Sequence, residues 1–118
     1  MAYSSFEDLD VWKRASRLAV QIYTVLKDCR DYGLKDQMCR AAVSVASNIA
    51  EGAERNSKKE FIRFLHIAKG SAAELKTQVY IATKIGIVKI DEQKRIVAEL
   101  VAISKMLHQL VESIKSKV

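Results

Sequence analysis

The sequence predicts an all-α protein, an antiparallel up-down-up-down bundle of four helices in one domain spanning residues 1–118. Three observations carry that prediction. The 118 residues include no proline and only four glycines, so little in the chain interrupts a helix. Apolar residues recur at three- and four-residue steps in four separate stretches, the period of one helical face. The links between those stretches are short and polar, which favours antiparallel neighbours and leaves little room for a crossover.

The first helix is expected from about residue 6 to about residue 29, with Leu9, Trp12, Ala19, Ile22 and Leu26 inward, Ser16 filling the gap, and Phe6 and Trp12 anchoring its start in the core. Acids Glu7, Asp8 and Asp10 sit at its beginning and Lys27 and Arg30 at its end, each where the helix dipole favours that sign. A turn follows, with Gly33 as its left-handed residue.

The second helix is expected from Leu34, closed by Gly52 as a C′ glycine. Met38, Ala42, Val45 and Ile49 share one arc, and slim Cys39, Val43, Ala46 and Ala50 form a flank that lets another helix come close. Arg40, Ser44, Ser47 and Glu51, flanked by Gln37 and Asn48, lie on the far side. That polar stripe reads either as solvated surface or as an inter-subunit network, in which Arg40 and Glu51 each meet a partner on another helix.

Ser57 and Glu60 have capping-box spacing and open the third helix. Its stripe is Phe61, Phe64, Leu65, Ala68, Ala72, Leu75, Val79 and Ala82, and Gly86 terminates it. Gly70 falls mid-helix on the outer face, where glycine costs about 1 kcal/mol relative to alanine; close approach of a partner subunit or RNA would compensate, and the alternative is a tolerated defect. The fourth helix starts with Asp91 as N-cap, carries Ile96, Leu100, Ile103, Leu107, Leu110 and Ile114 inward, and runs nearly to Val118.

The apolar residues outside these stripes, Val43, Ala46, Ala50, Ile62, Ile67, Tyr80, Ile81, Val97 and Val101, would leave patches on a monomer and point to a homo-oligomer. Arg40, Ser44, Ser47, Glu51 and Gly70 are its candidate interface.

Catalytic and metal chemistry find no residue set: phosphate loop, nucleophile elbow and paired histidines are all absent, and His66 and His108 stand on different helices. No enzyme activity, cofactor or metal is expected. Neither a membrane span nor a secretory start is seen in the sequence, so a cytoplasmic location is expected. Cys29 and Cys39 read as free thiols.

Charge gives the functional lead. The net charge is +6, and between residues 55 and 69 stand five basic residues, Arg55, Lys58, Lys59, Arg63 and Lys69, against one acid, Glu60. With Lys76, Lys84 and His66 they spread over one side of the helix, Glu60 and Glu74 over the other. Such a strip can follow a phosphate backbone without reading bases, with Tyr80 available for stacking. A scaffold for another protein is the alternative.

The segments Phe6-Glu7-Asp8-Leu9-Asp10-Val11-Trp12, Tyr32-Gly33-Leu34 with Gln37 and Arg40-Ala41, Ser47-Asn48-Ile49-Ala50-Glu51-Gly52, and Phe61 to Leu65 followed by Ala68-Lys69-Gly70-Ser71-Ala72-Ala73-Glu74-Leu75 together make the chain resemble the four-helix proteins encoded in intervening sequences of bacterial 23S ribosomal RNA genes. Lys69 stands where that family often has arginine, which keeps the charge. The resemblance implies a ring-like homopentamer and relatedness to the accessory proteins of diversity-generating retroelements, basic pentameric barrels that bind reverse transcriptase and nucleic acid. It implies no settled molecular role.

Overall fold

The computed structural model describes residues 5–117 and contains four α-helices: α1, Asp10–Val25; α2, Tyr32–Glu54; α3, Lys58–Lys84; and α4, Ile90–Ser116. Each packs against the next in the chain, and α1 closes the cycle against α4, while neither diagonal pair approaches closely. The result is a four-sided bundle of 48 × 20 × 20 Å, whose length suits helices of 27 residues.

The start of the chain differs from the expected single helix. A 3-10 turn at Phe6–Asp8 precedes α1, because the Ser5 hydroxyl accepts from the Glu7 N–H and the Asp8 carboxylate from the Ser5 N–H, and Leu9 is extended between the two segments. Phe6 and Trp12 meet edge to face at 5.2 Å, half-buried at the rim rather than in the core. The core face of α1 is Val11, Ala15, Leu18, Ala19 and Ile22, continued by Leu26 beyond its end. The expected stripe is therefore out of phase in its first half. Trp12, the largest apolar residue, sits where its ring is only partly covered, a usual place for an amphipathic aromatic.

Asp31 caps α2 by accepting from the Leu34 N–H at 3.1 Å, so Gly33 lies inside the first turn and has no left-handed backbone. Met38, Ala42, Val45 and Ile49 are all buried as expected. On the slim flank Cys39 is buried, Ala46 and Ala50 are half-buried and Val43 is exposed. The tight crossing with α3 uses other residues, where the Ser44 and Ser71 hydroxyls share a hydrogen bond of 2.9 Å, and the Asn48 amide donates to the Ser44 Oγ and carbonyl.

Gly52 is not a C′ residue, since α2 continues to Glu54. It is buried, and a Cβ placed on it would lie 2.6 Å from the Phe64 Cβ and 3.3 Å from the Phe61 carbonyl. Absence of a side chain sets the α2–α3 distance. Gly70, by contrast, would carry a Cβ with nothing within 4 Å, so no close approach within the chain accounts for it.

All eight residues of the expected α3 stripe are buried. The Ser57 hydroxyl accepts from the Glu60 N–H, but the Glu60 carboxylate turns to Arg63, leaving the capping box half-formed. Gly86, at φ +85°, ends the helix as expected. The Ile87 N–H donates to the Ala82 carbonyl and the Gly86 N–H to the Thr83 carbonyl, the paired bonds of a Schellman cap.

Lys89, not Asp91, caps α4: its N–H donates to the Glu92 carboxylate at 3.1 Å, and Asp91 falls in the first turn. Val111 replaces Leu110 in the buried stripe; Leu110 is half-buried. Val118 lies outside the described residues. Between α1 and α4, Arg14 grips Glu99 with two hydrogen bonds of 2.8 and 2.7 Å. That grip holds the Glu99 carboxyl below the ordinary carboxylate range.

Candidate nucleic-acid interface

The α2–α3 turn and the first half of α3 carry the five candidate cations, with Arg55, Lys58, Lys59 and Arg63 toward one end of the bundle and Lys69 near mid-helix. Arg55 leaves α2 in extended backbone, and Lys58 and Lys59 open α3 exposed to solvent. Arg63 follows one turn later, exposed, and Lys69 is half-buried. No ion pair joins Lys58, Lys59 or Lys69 to an acid among the described residues.

The two arginines share a ring. Arg55 lies over Phe64 at 5.0 Å and Arg63 at 4.6 Å, an attraction between cation and ring quadrupole that also limits how far each guanidinium roams. Phe64 is itself held against Gly52, so the crossing of α2 and α3 fixes the platform on which both cations rest. Arg55 reaches Glu51 at 3.5 Å, and Arg63 binds both oxygens of Glu60 at 2.9 and 3.1 Å. Glu60, expected on the opposite side of the wheel, therefore belongs to the basic strip instead. The Arg63 hydrogen bond draws its carboxyl below the usual carboxylate range.

A hollow of ≈ 440 Å³ lies beside this strip, lined by Arg55, Asn56, Lys58 and Phe61, with Ile114 and Lys117 arriving from the far end of the chain. Lys117 adds a cation that no local pattern near residue 55 could have disclosed.

Arg40, Ser44, Ser47, Glu51 and Gly70, the candidate interface, have separate fates in the protomer. Arg40 pairs with Asp36 and Glu51 with Arg55, both one turn away rather than on another helix. Ser44 is spent on Ser71 within the chain, and Ser47 and Gly70 are exposed. A shallow hollow of ≈ 290 Å³ lies over Gln37, Arg40, Ser44 and Glu74.

Of the surplus apolar residues, Val43, Ile67, Tyr80, Ile81 and Val101 are exposed, joined by Val20 and Tyr23, which the pattern did not single out. His66 and His108 are exposed on different helices. The described residues contain no cluster of three or more metal-ligating side chains and no helix long and apolar enough to cross a membrane.

Among curated proteins none matches this chain. The fold is that of a solved protein of unknown function from the S23 ribosomal protein family of Bacteroides thetaiotaomicron: the two superpose with a TM-score of 0.80 at 23% identity, over 86% of this chain and 97% of the other. The family model described as 23S rRNA-intervening sequence protein matches residues 7–109. With the four-helix architecture and nearly the whole chain inside that match, this protein belongs to the 23S rRNA-intervening sequence protein family.

Proposed function

We propose that the protein is a non-enzymatic, cytoplasmic accessory protein that binds structured nucleic acid, RNA first, through phosphate contacts from Arg55, Lys58, Lys59, Arg63 and Lys69. One observation carries the reading: these cations gather on one turn and half of one helix, with both guanidiniums of the set seated on the Phe64 ring. Their acidic neighbours are weak competitors. Exposed ion pairs contribute little, so Glu51 and Glu60 release the arginines when a phosphate with its condensed counterions is offered. The family's name makes ribosomal RNA the first ligand to try.

Filter binding to a structured ribosomal RNA fragment over a salt series tests this, with Lys59→Ala/Arg63→Ala alongside. The expected result is affinity that falls steeply with salt, and a variant whose logarithmic slope is shallower by about one unit for each lost contact, without altered sequence preference. Failure to bind at low salt overturns the reading.

A second reading, a self-associating scaffold for a protein partner, rests on the exposed apolar side chains, Val20 at 67% and Ile81 at 49% among them, which a partner surface would cover. Light scattering decides it: the expected mass is a multiple of the 13.3 kDa protomer, five by the family resemblance. A protomer mass at high protein concentration rejects it.

A further inference from the structure

The α1–α4 seam carries an open groove of ≈ 620 Å³ lined by Arg14, Arg17, Leu18, Gln21, Arg95 and Glu99. It lies along a different seam from the α3 strip, toward the end of the bundle where α3 stops and α4 begins. Three of the seven arginines in the sequence meet here.

Their engagements differ. Arg14 is committed: its Nε and Nη2 donate to the two Glu99 oxygens and its Nη1 to the Met106 sulfur at 3.6 Å. Elsewhere in the chain Arg40, Arg55 and Arg63 are each hydrogen-bonded to a carboxylate. Among the described residues Arg17 makes no hydrogen bond, and Arg95 has only a loose approach of 3.9 Å to the exposed Asp91. Two guanidiniums with open donor forks thus line one groove, one from each wall. Glu99, the acid nearest to hand, accepts from Arg14 through both oxygens; Arg17 adds a weaker electrostatic pull on its carboxyl but donates no hydrogen bond to it.

We infer that this groove is a phosphate-binding site in which Arg17 and Arg95 clamp one oxyanion from two sides, independent of the α3 strip. Guanidinium favours this chemistry over the lysines of α3, because its planar fork donates two parallel hydrogen bonds to two oxygens of one phosphate, whereas an ammonium acts as a point charge. Arg14 and Glu99 neutralise each other and Asp91 offsets part of the Arg95 charge, so the groove stays net positive through Arg17 and Arg95 and attracts a phosphate group. The phosphate comes from a nucleic-acid backbone or from a free oligophosphate.

The test follows the Nε–H signals of Arg17 and Arg95 by NMR during titration with sodium tripolyphosphate and, separately, with a short single-stranded oligoribonucleotide. Saturating shifts of both signals are expected, with affinity at least about tenfold lower in Arg17→Ala/Arg95→Ala and partly restored in Arg17→Lys/Arg95→Lys. Both side chains are exposed, so the melting temperatures of the variants should match that of the parent. Shifts with the oligonucleotide alone identify the backbone as the source, and shifts with both probes a general phosphate site; either supports the inference. Unmoved signals with both probes, or an alanine variant that binds as tightly as the parent, overturn it. Lys59→Ala/Arg63→Ala leaves these shifts in place, which separates failure of the groove from failure of the α3 strip.

Discussion

Gly52→Ala destabilises the protein by about 2 kcal/mol and lowers the melting temperature by about 8 °C, although alanine is the better helix former by about 1 kcal/mol. The sign follows from geometry. The new methyl group would sit 2.6 Å from the Phe64 Cβ and 3.3 Å from the Phe61 carbonyl oxygen, atoms that move only if α3 moves. Gly70→Ala is the internal control: a helical glycine on the same bundle with open space around it, it gains the propensity term without the clash and stabilises by about 0.5–1 kcal/mol. Thermal melts of the pair decide the matter. Equal shifts in one direction would mean that the α2–α3 distance does not depend on Gly52.

Phe64→Ala has the larger expected effect, about 3–5 kcal/mol, from loss of a buried ring and the cavity left behind. It also removes the surface under Arg55 and Arg63, so RNA affinity should fall even at temperatures where the variant remains folded. Its combination with Gly52→Ala is informative because alanine keeps the Cβ that the Gly52 methyl group meets. The steric cost of Gly52→Ala should therefore persist in the double variant, with a coupling in denaturant melts at the low end of the roughly 0.5–3 kcal/mol that residues in contact show. If Phe64→Ala instead relieves Gly52→Ala, the ring and not the backbone-proximal carbon is the obstacle.

These two residues also mark how far the sequence could be read. The stripes of α3 and most of α4 follow from period alone, as do Ser57 as a cap and Gly86 as a stop, because each is set by residues within one or two turns. Gly52 misleads for the same reason: a glycine at the end of a periodic run looks like a terminator, and its actual cause, Phe64, is on the next helix. The phase of α1 slips because Trp12 outweighs Val11 and Ala15 in any hydrophobic count yet lies at the rim. Among the basic residues, the exposure of Lys58 and Lys59 was legible, but the seating of Arg55 and Arg63 on one ring was not. The Arg14–Glu99 grip joins positions 85 residues apart, beyond reach of any local pattern.

That long separation bears on how the bundle assembles. Three of the four seams join helices consecutive in the chain, so each can zip up as a local hairpin with little loop to close. The α1–α4 seam is the exception. Bringing Arg14 to Glu99 in an otherwise unfolded chain would cost on the order of 4 kcal/mol of loop-closure entropy, but almost nothing extra once the three hairpins have formed and carried α1 to the side of α4. The order of events is thereby biased toward the three consecutive hairpins first, with the docking of α1 onto α4 completing the fold.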